Sequence, residues 1–213
     1  MILAVSTHSN NIQIAVKSSK NIYLNSLSAK VSQSKKILHM IDATLKDAGV
    51  SKKDIRSLYI NSGPGMFTSL RVGIACINAI SFVLKIPIYQ FTTFDLYAVS
   101  ALQKNIKFPF GVGIDAKMSE TYFTIFESPE DIFNQNRKNE LIQNTELLTK
   151  LEQDELISRL LGDFLHNNCF QFSNKKTIFK EDFDLKDLLE FKIQNVKETK
   201  IAKPYYLRNQ VTS

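Results

Sequence analysis

The chain has 213 residues, 44% of them hydrophobic, which is enough apolar material for one large domain or two small ones and excludes a disordered chain. Twenty-seven basic residues against 21 acidic ones give a formal charge of +6, which favours an anionic partner without specifying a fold. No run of about eighteen apolar residues is expected, because even Val72–Leu84 is interrupted by Asn78 and Ser81.

The opening Met1-Ile-Leu-Ala-Val-Ser6 lacks a basic flank and a cleavage-site pattern, so it reads as a strand of a cytoplasmic protein that stays off membranes. Ile2–Thr7, Ile12–Lys17 and Ile22–Leu27 are β-branched-rich runs separated by polar turns, the pattern of an antiparallel meander. Ser32 or Ser34 then caps a helix to Ala48, with Ile37, Leu38, Ile41, Leu45 and Ala48 at helical spacing, Met40 widening the apolar face and Gly49 ending it. A strand over Ser57–Asn61, the turn Ser62-Gly-Pro-Gly65 and a helix over Phe67–Leu84 follow, with Thr68 as a candidate cap. A strand over Ile88–Phe91 and a helix over Phe94–Lys104 complete the order βββαβαβα.

Phe110 opens a second unit, since Gly111–Asp115 and Tyr122–Phe126 repeat the strand, polar turn, strand start of the chain. The expected fold class is therefore α/β, actin-like and duplicated, with lobes at 1–106 and 107–213. Pro129–Gln153 carries weak signals, whereas Glu155–Leu161 and Leu185–Phe191 read as short helices.

The helix over Phe67–Leu84 is apolar nearly all round: Leu70, Ile74, Ile77 and Leu84 on one side, Val72, Ala75, Cys76, Ala79, Ile80 and Val83 on the others. One face can pack on its own sheet, so the rest must meet another helix or another subunit. Cys76 and Cys169 read as small buried thiols, and the separated His8, His39 and His166 offer no ligands at metal spacing, so no metal is expected.

The glycine turn is neither a Walker A loop, a dinucleotide fingerprint nor a nucleophile elbow. Phosphate turns of actin-like kinases need glycine and a carboxylate. The first turn here, Ser6-Thr-His-Ser-Asn-Asn11, has neither, and the second, Asp115-Ala-Lys-Met-Ser-Glu120, has acids without glycine. Asp115 anchors its own turn in the simplest reading. Lys192, Lys197, Lys200, Lys203 and Arg208 gather near Tyr205-Tyr206, a mixture that either grips RNA or forms a solvated tail with packed tyrosines.

Ser62-Gly-Pro-Gly-Met-Phe-Thr-Ser-Leu-Arg-Val-Gly73 resembles the signature of the TsaB (YeaZ) family. Ile2–Thr7, the hairpin Gly113–Tyr122 and the closing Pro204-Tyr-Tyr-Leu-Arg208 resemble three further landmarks of that family. The resemblance implies an actin-like fold with a degenerate nucleotide site and a non-catalytic partner of TsaD. The complex places a threonylcarbamoyl group on adenosine 37 of tRNA. TsaE joins it, tRNA is met through it, and a homodimer forms when the chain is alone. The resemblance also implies an interface on the two helices of the first lobe, here Ile37, Met40, Ile41, Thr44, Met66, Phe67, Leu70, Arg71, Ile74 and Asn78. It implies no cofactor within the chain and leaves ATP or ADP to the shared interface. Ser6 replaces the usual Asp, Met66 and Ser69 replace Ser and Gly, and Phe164 stands where glycine is usual. The alternatives are an actin-like phosphotransferase with weak ATPase activity of its own and a peptidase, for which no nucleophile or metal constellation is visible.

Overall fold

The computed structural model describes residues 1–9, 11–28, 33–166, 169–172, 176–179, 184–191 and 196–207. Two compact units result: Met1–Leu96 with Asp184–Tyr205, and Tyr97–Phe183 with Tyr206–Ser213. They are not the contiguous stretches 1–106 and 107–213, because the chain returns after residue 183 to complete the first sheet.

In the first unit β1 (Ile2–Ser6), β2 (Asn11–Lys17) and β3 (Ile22–Ser28) form the meander, followed by α1 (Gln33–Asp47), β4 (Ser57–Asn61), α2 (Phe67–Leu84) and β5 (Ile88–Phe91). Strand β1 is antiparallel to β2 and parallel to β4, and β4 is parallel to β5. The intervening α1 and α2 supply the crossovers that parallel pairing requires. Leu3, Val5, Ile12, Ile14, Val16, Leu58 and Ile60 form one buried core with Ile37, Ile41, Leu45, Ile74 and Ile77 of those helices. The alternation of the strands thus sets α1 and α2 on one face.

Gln13 faces the other side, where its Oε1 accepts from the Leu185 N–H at the start of α5 (Leu185–Glu190). Finally β11 (Lys197–Thr199) pairs antiparallel with β5 and closes the order β11-β5-β4-β1-β2-β3.

Helix α3 (Thr93–Gln103) precedes the second sheet. There β6 (Phe110–Lys117), β7 (Glu120–Phe126), β8 (Asn139–Gln143), α4 (Asn144–Gln153), β9 (Arg159–Leu161) and β10 (Thr177–Phe179) follow, with strand order β10-β9-β6-β7-β8. Mapping β6, β7, β8, β9 and β10 onto β1, β2, β3, β4 and β5 reproduces the first arrangement, so the fold is duplicated. A single 3₁₀ turn, Asp163–His166, stands where α2 stands in the first unit. Phe123, Leu147, Leu151, Leu160, Phe164 and Phe170 make its core.

Three expectations change. Glu155–Leu161 is not a helix: Leu160 and Leu161 pair with Gly111 and Val112, and tertiary pairing decides a segment too short to choose by pattern. Cys169 is exposed and Cys76 half-buried, so neither thiol is sealed in the core. Helix α2 is 18 residues long with mean hydropathy 1.7, and its length and composition alone suit a membrane crossing. Its seating on the sheet through Leu70, Ile74 and Ile77 accounts for that composition as core and groove lining.

Candidate functional site

Helices α1 and α2 leave a groove of 500 Å³ between them, lined by Ile37, Leu38 and Ile41 on one side and Val72, Ala75, Cys76, Ala79, Ile80 and Val83 on the other. Ile55 and Leu84 complete its apolar wall, and the Lys52–Asp42 ion pair (2.7 Å) stands at its rim. Ala75, Ala79 and Val83 succeed one another at i, i+4 spacing, so α2 shows the groove a stripe of small residues. Leu38 is 56% and Val83 74% exposed. Contiguous exposed apolar surface of this kind is uncommon on monomeric proteins. Burial raises the Cys76 thiol above its ordinary pKa, which keeps it neutral there.

The ten predicted contact residues divide. Met66, Phe67 and Arg71 are exposed at the start of α2, with the Arg71 guanidinium 3.6 Å above the Phe67 ring. Met40 and Asn78 are partly covered. Ile37, Ile41, Thr44, Leu70 and Ile74 are buried. Ile37 and Ile41 still reach the groove floor, whereas Thr44 holds the Met40 carbonyl (2.7 Å) and accepts from Asn25 (3.0 Å), and Leu70 and Ile74 belong to the core. Of the lining residues only Ile37 and Ile41 belong to that set; on α2 Val72, Ala75, Cys76, Ala79, Ile80, Val83 and Leu84 are all absent from it. Their signal was the all-round apolarity of α2, which marks surplus apolar surface without saying which face is outward.

The glycine turn is bound to the β1–β2 turn rather than open to a ligand. Asn61 at the end of β4 accepts from Gly63 N–H (2.9 Å), which fixes its oxygen and aims its amide N–H at Ser6 Oγ (3.0 Å). Ser6 Oγ lies 3.1 Å from Nδ1 of the buried His8 and is hydrogen-bonded to it. Burial drives the His8 pKa down to about 3. Thr93 donates to Pro64 O (2.7 Å), Thr7 to Ser69 O (2.8 Å), and Met66 N–H to His8 O (2.6 Å). A Cβ on Gly65 would lie 2.3 Å from His8 O, and one on Gly73 2.4 Å from Thr7 Oγ1. These glycines therefore serve close backbone approach. Met66, not Thr68, occupies the cap position of α2, without a side-chain cap bond.

In the second unit Asp115 anchors its own turn through Lys117 N–H (2.8 Å) and pairs with the Lys117 ammonium. Its own N–H donates to Asp163 Oδ1 (2.7 Å). Burial pushes the Asp163 carboxyl up to about 6; the Asp115 N–H bond opposes the shift, the Asp115 carboxylate adds to it, and Lys117 and His166 pull it back. Among the described residues no group of three or more His, Cys, Asp or Glu side chains is placed to hold a metal ion.

The family model for TsaD, tRNA N6-adenosine threonylcarbamoyltransferase, matches residues 27–209. The chain therefore belongs to that family of actin-like α/β proteins, and within it to the TsaB (YeaZ) group. A tRNA threonylcarbamoyladenosine biosynthesis protein TsaB of Buchnera aphidicola subsp. Schizaphis graminum is 29% identical over 90% of this chain and 92% of its own. The TsaB protein of Escherichia coli K12 is 24% identical over 77% and 69%. Two solved structures from Pseudomonas aeruginosa share the fold. A protein described as similar to peptidase YeaZ superimposes with TM-score 0.75 at 18% identity over 97% of this chain and 99% of its own. YeaZ itself superimposes with TM-score 0.70 at 17% identity over 89% and 88%.

Proposed function

We propose that this chain is a non-catalytic subunit that docks a TsaD-type enzyme on the α1–α2 groove and is required for threonylcarbamoylation of adenosine 37 of tRNA. The observation that carries the reading is the apolar groove itself, a surface suited to apolar helices of a protein partner. The TsaB relatives are named for this biosynthesis, which supplies the pathway. The position of a phosphate turn in the first unit is taken by Ser6, His8 and Asn61 bonded to one another, leaving ATP or ADP to an interface shared with the partner. In isolation the same groove closes against a second copy of the chain; TsaE joins the heterodimer, and the assembly works in the cytoplasm.

The test is reconstitution with unmodified tRNA, ATP, threonylcarbamoyl adenylate, TsaD and TsaE. Modified adenosine is expected only when this chain is present, and no peptidase or ATPase activity from the chain alone. Full modification without it, or ATP hydrolysis by the chain alone that disappears in Asp115→Ala, would overturn the reading.

A further inference from the structure

The positive charge of the molecule is not shared between its units. Met1–Leu96 with Asp184–Tyr205 carries 16 basic and 8 acidic residues, net +8, and the remainder carries 11 and 13, net −2. Part of that charge surrounds an exposed aromatic side chain at the end of α2 that is not part of the groove. Phe82 is 85% exposed and does not line it.

Asn78, one turn before Phe82 on the same helix face, fixes the position of the last described segment. Its amide donates to Ala202 O (3.0 Å) and accepts from Ala202 N–H (2.8 Å), and Gln90 holds Lys203 in the same two-bonded way (2.7 and 3.3 Å). Thr199 pairs with Ile88, so the bend at Lys200–Ile201 lies beside the start of β5 and the Lys85 end of α2. Ile201 is 63% exposed, and Lys85, Lys200 and Lys203 are exposed as well. None of these three ammonium groups forms an ion pair with another described residue.

We propose that the corner formed by Phe82, Lys85, Lys200, Ile201 and Lys203 is a binding surface for RNA, with the ammonium groups on phosphates and Phe82 stacking on an unpaired base. The proposal rests on the tRNA reading above. Lysines around an exposed phenyl ring match how single-stranded or looped RNA is gripped, by charge on the backbone and a π-face for a base. Phe82 stands seven residues after Ala75 and three after Ala79, so the corner adjoins the stripe of α2, and heterodimer formation has to be read separately from RNA binding.

The experiment measures binding of a fluorescein-labelled, unmodified tRNA transcript to the full chain by anisotropy between 50 and 200 mM salt. The chain is compared with Lys85→Glu/Lys200→Glu, Phe82→Ala and a charge-matched control, Lys46→Glu/Lys53→Glu. The double corner variant is expected to lose about tenfold or more in affinity, with the salt slope falling by about 1.4 to 1.8. Phe82→Ala is expected to lose about fivefold or more at an unchanged slope. The matched control stays within about twofold, since diffuse charge alone contributes little site preference.

Equal losses in corner and control variants, or none in either, would overturn the proposal. So would displacement of the tRNA by polyglutamate at equal charge, or tighter lysine-dependent binding to phosphatidylglycerol–phosphatidylcholine vesicles, which would assign the corner to an acidic protein or to a membrane. Heterodimer formation with TsaD is read separately by light scattering. Its absence in the unsubstituted chain marks failure of the functional reading, whereas an intact heterodimer with tRNA binding indifferent to the corner marks failure of this proposal.

Discussion

The same hairpin occurs twice in this molecule and is finished in opposite ways. At the β1–β2 turn the polar side chains are neutral, buried and bonded to one another, with Ser6, Thr7, His8, Asn61 and Thr93 at most 3% exposed. At the β6–β7 turn the side chains keep their charge: Asp115, Lys117 and the buried Asp163 share the space, and Lys117, Met118 and Ser119 all have positive φ. The first turn has become mortar between β1, β4 and α2, which holds the groove helix in place. The second, with a short 3₁₀ turn in place of a long helix, has nothing to hold and retains carboxylates. A duplicated fold thus fixes where a turn lies, and the residues at its tip decide whether it binds or braces.

The comparison is broken most severely by filling the close approaches. A Cβ on Gly162, which has φ +126°, would stand 1.8 Å from Gly113 O, so Gly162→Ala is expected to cost about 4 kcal/mol or more. Protection from hydrogen exchange should be lost across Val112–Ile114 and Phe123 while Val5 and Ile14 keep theirs. Gly65→Ala is the counterpart in the first unit and should reverse that pattern, at about 3 kcal/mol or more. Equal loss in both sheets from either change would contradict the assignment of these contacts.

A gentler separation comes from acid. His8 is neutral when folded and its pKa is lowered to about 3. Below its ordinary value of 6.5 the unfolded chain takes up a proton that the folded chain refuses. The first unit therefore loses about 1.4 kcal/mol per pH unit as pH falls from 6.5 toward 3. Asp163 has a raised folded pKa, so its favourable contribution is complete below 3.8 and is lost as pH rises through about 6. Hydrogen exchange in the two sheets is expected to respond to pH with opposite signs between about 4 and 6. Asp163→Asn keeps the acceptor for Asp115 N–H, removes that response from the second sheet only, and raises its stability at pH 7 by about 1–3 kcal/mol. An unchanged pH response in that variant would remove Asp163 from the account.

Much of this architecture is visible in the residues. Ser57–Asn61, Phe67–Leu84 and Ile88–Phe91 match the elements β4, α2 and β5 to the residue, because turn residues and Pro87 bracket clear patterns. The duplicated start at Phe110 was equally legible. Strand β8 was not, since Asn139-Glu-Leu-Ile-Gln143 buries only Ile142 and owes its form to pairing with β7. Nor was β11, whose three residues become a strand only because β5 offers an edge. At the site, the interface implied by the family resemblance included Leu70 and Ile74, yet they are buried in the core. When a helix is apolar all round its period no longer separates inner from outer faces, and only the position of the sheet does so. Ile74→Glu consequently reports on folding, with an expected cost of about 4 kcal/mol, and not on partner binding.

The central claim, that the outward stripe of α2 receives a TsaD-type partner, is tested most directly by light scattering of the chain mixed with TsaD, with and without Ala79→Arg. Ala79 is exposed on the groove wall, so the variant should keep its thermal midpoint within a few degrees. The account predicts a one-to-one heterodimer for the natural chain and none for Ala79→Arg. A folded Ala79→Arg protein that forms the heterodimer with undiminished affinity would contradict it.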